Sequence, residues 1–248
     1  MRLDVLGGCG AWPTALAGCS GYVVESDGFR LLIDPGYATL PRLWEREGGA
    51  DGIDAVLVSH GHPDHCADLS PLLRARSLSE EPPEALGVYA PVGSVDAVLA
   101  LDKPGMLADG YDLHEFGPGQ RFDIGPFAVD TWLLPHFVPN AGIRLSAGGR
   151  VLAYTGDTGP SEDVPRLARD ADLLLCEATH PYEVPRVDEG FLLTARLAGG
   201  YATRAGAGLL VLTHLWPGTD TATAHEAGSA TFAGPVTVAE PGLVVPLG

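Results

Sequence analysis

Three of the eight histidines in this 248-residue chain fall within one short run, Ser59-His60-Gly61-His62-Pro63-Asp64-His65. Three imidazoles and a carboxylate this close together supply the nitrogen and oxygen donors that zinc and similar metals prefer. Gly61 and Pro63 allow a tight, fixed turn, so neighbouring side chains can face different ions. The bland alternative is a polar loop with chance histidines. With so few histidines in the chain, that alternative explains the pattern poorly.

The run leaves the end of Ala55-Val56-Leu57-Val58, a continuous apolar stretch that suits a strand buried on both faces. Strand ends of this kind are where sites gather in α/β proteins. Upstream, Leu3 to Leu6, Tyr22 to Glu25 and Phe29 to Ile33 read as strands, the last two joined by Ser26-Asp27-Gly28, a hairpin signal. Downstream, Asp68 to Arg74 opens a helix and Ser77 to Pro83 is a surface loop. Phe127 to Leu134, Ile143 to Ala147 and Val151 to Tyr154 repeat the strand pattern, with Gly148-Gly149 as a turn. Ser161 is placed to cap a short helix. Leu173 to Cys176, Leu209 to Leu212 and Val236 to Val238 are further strands, separated by helices at Leu193 to Ala205 and Thr221 to Phe232. Strands alternating with helices in two similar halves predict an α/β fold of two sheets packed face to face with helices outside. No linker-like shift in composition divides residues 1–248, so one domain is expected.

Composition narrows the partners. Apolar residues make up 46% and charged residues 19% of the chain, as in globular proteins. The formal charge of −17 opposes a nucleic-acid partner held by its phosphates. A small-molecule substrate is expected instead, and a homodimer stays open. No apolar window is long enough to cross a bilayer, and the N-terminal run is too short for a signal peptide. A cytoplasmic protein without a membrane partner is the expectation. Cys9, Cys19, Cys66 and Cys176 form no CxxC pair and read as packing residues.

The run at His60 resembles the HxHxDH signature of the metallo-β-lactamase fold superfamily. The family's other motifs find matches in order. Asp34 in Leu31-Leu32-Ile33-Asp34-Pro35-Gly36 matches the first, and His136 after Leu133-Leu134-Pro135 matches the third. Asp157 in Tyr154-Thr155-Gly156-Asp157-Thr158 matches the fourth, and His214 closing Val211-Leu212-Thr213 the fifth. The resemblance implies a four-layer αβ/βα sandwich and a metal-dependent hydrolase with two divalent ions, zinc first and manganese or iron next. It implies that His60, His62 and His136 hold one ion, that Asp64, His65 and His214 hold the other, and that Asp157 bridges them. Asp34 would support the site without binding metal. An Asp as bridging ligand, where the antibiotic-hydrolysing branch has Cys, points away from β-lactam cleavage.

Pro135 to Gly142, the Gly-Asp-Thr turn and Glu177-Ala178-Thr179 are similar to the branch of RNase Z and related phosphodiesterases. That branch carries a proton-donating His at the position of Leu192, which cannot transfer a proton. It also carries a long tRNA-gripping arm where only one hairpin separates His136 from Asp157. A phosphodiesterase acting on a small phosphodiester, such as a cyclic nucleotide, is therefore expected over an RNase Z-like ribonuclease. The candidate catalytic residues are Asp64 and His180, the latter as substitute proton donor or as an ordinary loop histidine. An iron-dependent oxidoreductase and a non-catalytic metal-binding protein are the competing classes. Trp216 is read as a pocket wall or a packing residue, His225 as a solvated helix residue, and His114 is given no role.

Overall fold

The computed structural model describes residues 1–248, the side chain of Glu47 excepted. The first half lays down β1 (Arg2–Gly7), β2 (Gly21–Ser26), β3 (Phe29–Ile33), α1 (Leu40–Glu47), β4 (Ala55–Leu57), α2 (Pro63–Cys66), α3 (Leu69–Ser77), β5 (Leu86–Pro91), α4 (Asp96–Leu99) and β6 (Tyr111–Phe116). The second half follows with β7 (Arg121–Ile124), β8 (Phe127–Leu134), β9 (Asn140–Ala147), β10 (Arg150–Tyr154), α5 (Asp163–Leu167), β11 (Leu173–Glu177), α6 (Ala195–Ala205), β12 (Leu210–Thr213), α7 (Thr221–Ser229) and β13 (Val236–Val238), and β14 (Val244–Pro246) closes the chain.

Two seven-stranded sheets result, in the orders β14-β1-β2-β3-β4-β5-β6 and β13-β12-β11-β10-β9-β8-β7. Each half starts as an antiparallel meander and then turns parallel, at β3/β4 in the first sheet and β10/β11 in the second. Parallel pairing requires crossovers, and the helices that make them cover the outer faces. Strand periodicity then explains the continuous apolar runs. Leu31, Ile33 and Leu57 point into the core between the sheets, where they join Tyr154, Leu173, Leu175 and Val211. Leu32 and Val56 face the outer layer of Leu43, Leu69, Leu72 and Leu73. Leu174 and Cys176 face α5 and α6 on the other side. Helix, sheet, sheet, helix is the four-layer αβ/βα sandwich the resemblance implied.

Local chemistry accounts for the turns. Asp27 and Gly28 have φ of +51° and +80°, and Gly148 and Gly149 have +56° and +73°, the left-handed pairs that tight hairpins demand. Three expected details are corrected. Ser161 is not the cap of α5, which starts two residues later; its Oγ accepts instead from Asp163 N at 3.1 Å, a turn within the loop. The helix expected from Leu193 starts at Ala195, because the extended Thr194 caps it by accepting from Leu197 N at 3.1 Å. The last helix ends at Ser229 and not at Phe232, whose ring turns back into the apolar layer against α6. Gly199, unexpected within a helix, is required by packing: a Cβ there would lie 2.2 Å from Gly228 O of α7. The elements α1, β5, β6 and β7 carry no strong sequence signal and emerge only here.

Where β10 turns parallel to β11, Asp172 ties the two strand starts together. Its carboxylate accepts from Val151 N at 2.8 Å and Arg150 Nη1 at 2.9 Å, while Asp172 N donates to Val151 O. Burial pushes this carboxyl up, but the bonds from Val151 and Arg150 outweigh it and hold it below its ordinary value. A depressed folded pKa adds stability above the unfolded value, and the gain is lost as pH falls through the folded pKa. Asp172→Asn is thus expected to cost about 1 kcal/mol at pH 7. Urea unfolding at a series of pH values should show the gap from the parent closing in acid below the ordinary carboxylate range.

Candidate metal centre

Strands of both sheets bring their carboxyl ends to one edge of the sandwich, and the chemical side chains sit there. Asp34 follows β3, and the loop after β4 delivers His60 and His62. The short α2 carries Asp64 and His65, while His136, Asp157 and His214 follow β8, β10 and β12. Two donor sets form. His60, His62, His136 and Asp157 make one, and Asp64, His65, Asp157 and His214 the other, with one donor atom from each residue within 4.8 Å of the rest of its set. Asp157 belongs to both.

Hydrogen bonding fixes which nitrogen faces inward. Ser59 Oγ donates to Asp34 Oδ2 at 2.6 Å, so it accepts from His60 Nδ1–H at 3.0 Å and frees His60 Nε2. His65 Nδ1 donates to Asp34 at 2.8 Å, and His136 Nδ1 to the Phe191 carbonyl at 2.9 Å. Thr179 Oγ1 gives its proton to Glu177 at 2.6 Å and accepts from His214 Nδ1 at 3.0 Å. Four imidazoles therefore point Nε2 into the site, and His62 turns its Nδ1 to within 3.1 Å of both His60 Nε2 and His136 Nε2. That spacing is close to the about 3.3 Å between ligand atoms around a tetrahedral ion with bonds of about 2 Å. In the other set, His65 Nε2 and Asp157 Oδ1 lie 3.3 Å apart, both buried and both without a hydrogen-bond partner. Orphaned buried polar atoms are costly, and a cation between them would satisfy both. The residues fit two divalent ions.

Electrostatics divides the halves. Burial, then repulsion from the charge on His65, pushes His60 well below its ordinary value; burial also lowers His62 and His136. These three are neutral donors. Burial would lower His65 and His214 too, but the carboxylates of Asp157 and Asp64 outweigh it and raise both. In turn, burial would raise Asp64 and Asp157, and those histidines hold both below the usual range. Around Asp157 the site is short of positive charge, which a metal would supply in exchange for protons.

All seven expected ligand residues come together. Asp34 stays outside the donor sets, as expected: its carboxylate accepts from Ser59 N at 2.7 Å, Ser59 Oγ, His65 Nδ1 and Tyr154 OH at 2.7 Å. His180 does not join the sets; its ring stacks on Trp216 with centroids 5.8 Å apart. Leu192 is buried, and the preceding Phe191 carbonyl orients His136. Cys66 packs, with its thiol donating to His62 O. His225 lies on the exposed face of α7, and His114 stacks on Tyr89 within the first sheet.

Several supporting residues had no chemical signal in the sequence. Ser59 and Tyr154 anchor Asp34, and Ala11 N donates to Asp64 Oδ2 at 2.7 Å. Glu177, fully buried, accepts from Thr158 N, Thr179 Oγ1 and Leu193 N, tying the loops of Asp157, His214 and His136 into one support. Burial, reinforced by the charge of Asp157, pushes its carboxyl up to about 8. Only its place in the Glu-Ala-Thr segment hinted at importance.

The sequence profile of the β-lactamase superfamily domain matches residues 29–215, and the chain belongs to that family. Within it the chain falls in the RNase Z-like branch of the metallo-β-lactamase fold. It is 31% identical over 222 residues to YhfI of Bacillus subtilis, named a probable metallo-hydrolase, with 87% of each chain covered. An uncharacterized protein of Mycobacterium tuberculosis is 31% identical over 244 residues, covering 95% of this chain and 88% of that one. The crystal structure of YhfI superposes with a TM-score of 0.88 at 29% identity over 99% of both chains. The short form of human tRNase Z gives 0.79 at 26% identity over 100% of both.

Asp34→Ala would strand three buried donors and the imidazole of His65. Losing one side of such a buried pair should cost about 3–5 kcal/mol. Denaturant unfolding should report that loss, and elemental analysis of the surviving folded protein should show reduced metal. Wild-type metal content in a destabilised variant would mean that Asp34 serves the fold alone.

Proposed function

We propose that this chain is a dinuclear metal-dependent phosphodiesterase acting on a small phosphodiester such as a cyclic nucleotide. One observation carries the reading: two complete donor sets share Asp157 at the mouth of the sandwich. His60, His62 and His136 would hold one ion, Asp64, His65 and His214 the second, and Asp157 both. All-nitrogen-and-oxygen donors favour zinc, with manganese or iron as alternatives. Two bound divalent ions would supply Lewis acidity, an activated water and a counter-charge for a phosphoryl group.

The chain's own residues orient and hold. Asp34, the Phe191 carbonyl and Thr179 keep His65, His136 and His214 in the tautomers that present Nε2. Asp64, fixed by Ala11 N, keeps its carboxylate in the second donor set. Between His136 and Asp157 the chain makes only the hairpin of β9 and β10, too little for a tRNA-gripping arm. Together with the −17 charge, this favours a small substrate over a polynucleotide. His180 is the candidate proton donor for the leaving group, given Leu192 at the usual position. Burial lowers its pKa below 6.5, with Asp188 opposing. It would therefore be charged, and able to donate, only in mild acid.

Purified protein should contain two transition-metal ions per chain by elemental analysis, and hydrolyse bis-p-nitrophenyl phosphate or a cyclic nucleotide. Asp157→Ala should lower metal content and abolish hydrolysis. Full occupancy with unchanged rates in that variant would sink the shared-ligand assignment.

The His180 assignment has its own test, rate against leaving-group pKa over a range of pH. Alkoxide esters should gain on p-nitrophenyl esters as pH drops below 6.5, and His180→Ala should remove that gain, on the order of a hundredfold for a positioned acid. An unchanged dependence in the variant would mean that His180 carries no proton.

A further inference from the structure

At the rim of the metal centre two tryptophans stand in the open. Trp12 is 48% and Trp216 39% exposed, and their rings meet edge to face with centroids 5.0 Å apart. His180 stacks on Trp216. The Phe137 ring, half exposed, stacks on Phe191 beside His136 and forms a second, separate aromatic pair.

The tryptophan pair is built onto the Asp64 and His214 half. Ala11 N donates to Asp64 Oδ2, Gly10 N to Leu215 O at 2.9 Å, and Trp216 N to Thr179 O at 3.0 Å. The loop passes directly over an imidazole: a Cβ on Gly10 would lie 2.8 Å from His214 Cε1. Ala11 holds φ of +60°, a left-handed conformation that a non-glycine residue keeps only when its surroundings impose it. Trp12 is thus one residue from a bond to Asp64, and the Cα of Trp216 lies at most about 7.6 Å from that of His214. Trp216 also walls a cavity of about 570 Å³ with Leu16, Leu215, Thr219 and Ala239, a volume in the range of small-ligand sites.

We propose that Trp12 and Trp216 form a stacking subsite for the planar base of a nucleoside phosphodiester whose phosphate sits at the metal centre. The proposal rests on the phosphodiesterase reading and narrows it to substrates that carry an aromatic ring one sugar away from the phosphate. Charge leaves little else to hold such a ligand. Among the described residues no Arg or Lys hydrogen-bonds or pairs with any of the seven donor residues, and the net charge of −17 repels anions at long range. Beyond the phosphate, affinity must come from uncharged contact. Indole faces supply it to any base, because every base presents a π-face.

Equilibrium binding to the metal-loaded protein tests this without turnover. Adenosine 5′-monophosphate and ribose 5-phosphate share a phosphate and a sugar and differ by the base. The wild type should bind the nucleotide more tightly by about ten- to a hundredfold, the range that one stacked base contributes. Trp216→Ala and Trp12→Ala should each shrink that ratio by weakening nucleotide binding alone, and Trp216→Phe, which keeps a ring, should restore most of it. Equal affinities for the two ligands in the wild type would overturn the subsite with no variant needed. A ratio that survives both alanine variants, or that falls in Phe137→Ala instead, would also overturn it. Diester hydrolysis is scored separately. A ring preference without hydrolysis leaves the subsite standing and removes the phosphodiesterase reading, whereas hydrolysis without a ring preference does the reverse.

Discussion

The carboxylate of Asp34 accepts four hydrogen bonds in a place that water does not reach. A buried charge is tolerated only when it is fully paired, and here the partners come from every part of the molecule. Asp34 follows β3 of the first sheet, Tyr154 ends β10 of the second, Ser59 follows β4, and His65 rides on α2. The same contact that registers the two sheets also sets the angle of an imidazole in the donor cluster. Asp34 itself adopts φ of +49°, a strained conformation that the four bonds hold in place.

Three carboxylates, those of Asp34, Asp64 and Asp157, are buried within one pocket. Their mutual repulsion is answered by His65 and His214, and metal can answer it more fully than protons do. The neutral trio of His60, His62 and His136 differs because fewer acids face it. Two nearly symmetrical halves of the fold thus deliver one site of two unlike halves.

Around this centre the fold leaves little relief. The hairpin of β9 and β10 is short, the surface is acidic, and aromatic rings line the rim on both sides. The proposed reading seats a compact ligand at this rim, with its anionic group toward the two donor sets. Extended polyanions would need a basic track, and the chain has 15 Lys and Arg against 32 Asp and Glu.

Much of this was legible before folding. The run from His60 to His65 sits at the end of an apolar strand, and an ion needs local, oriented donors, so type and spacing alone pointed to the first members of the donor cluster. Apolar runs of strand length announced sheets covered on both faces, since a strand with one wet face would alternate. His136, Asp157 and His214 became readable only through resemblance, because a single polar residue after a strand has no pattern of its own. What sequence could not disclose are contacts between residues far apart in the chain. Ser59 and Tyr154 on Asp34, Thr179 behind His214, the Phe191 carbonyl behind His136, and Trp12 beside Trp216 all depend on where two sheets meet. No local propensity encodes such distances. The sequence by itself determined the donors and the layers; tertiary packing decided which nitrogen of each imidazole faces inward, because that choice belongs to the neighbour on the ring's other side.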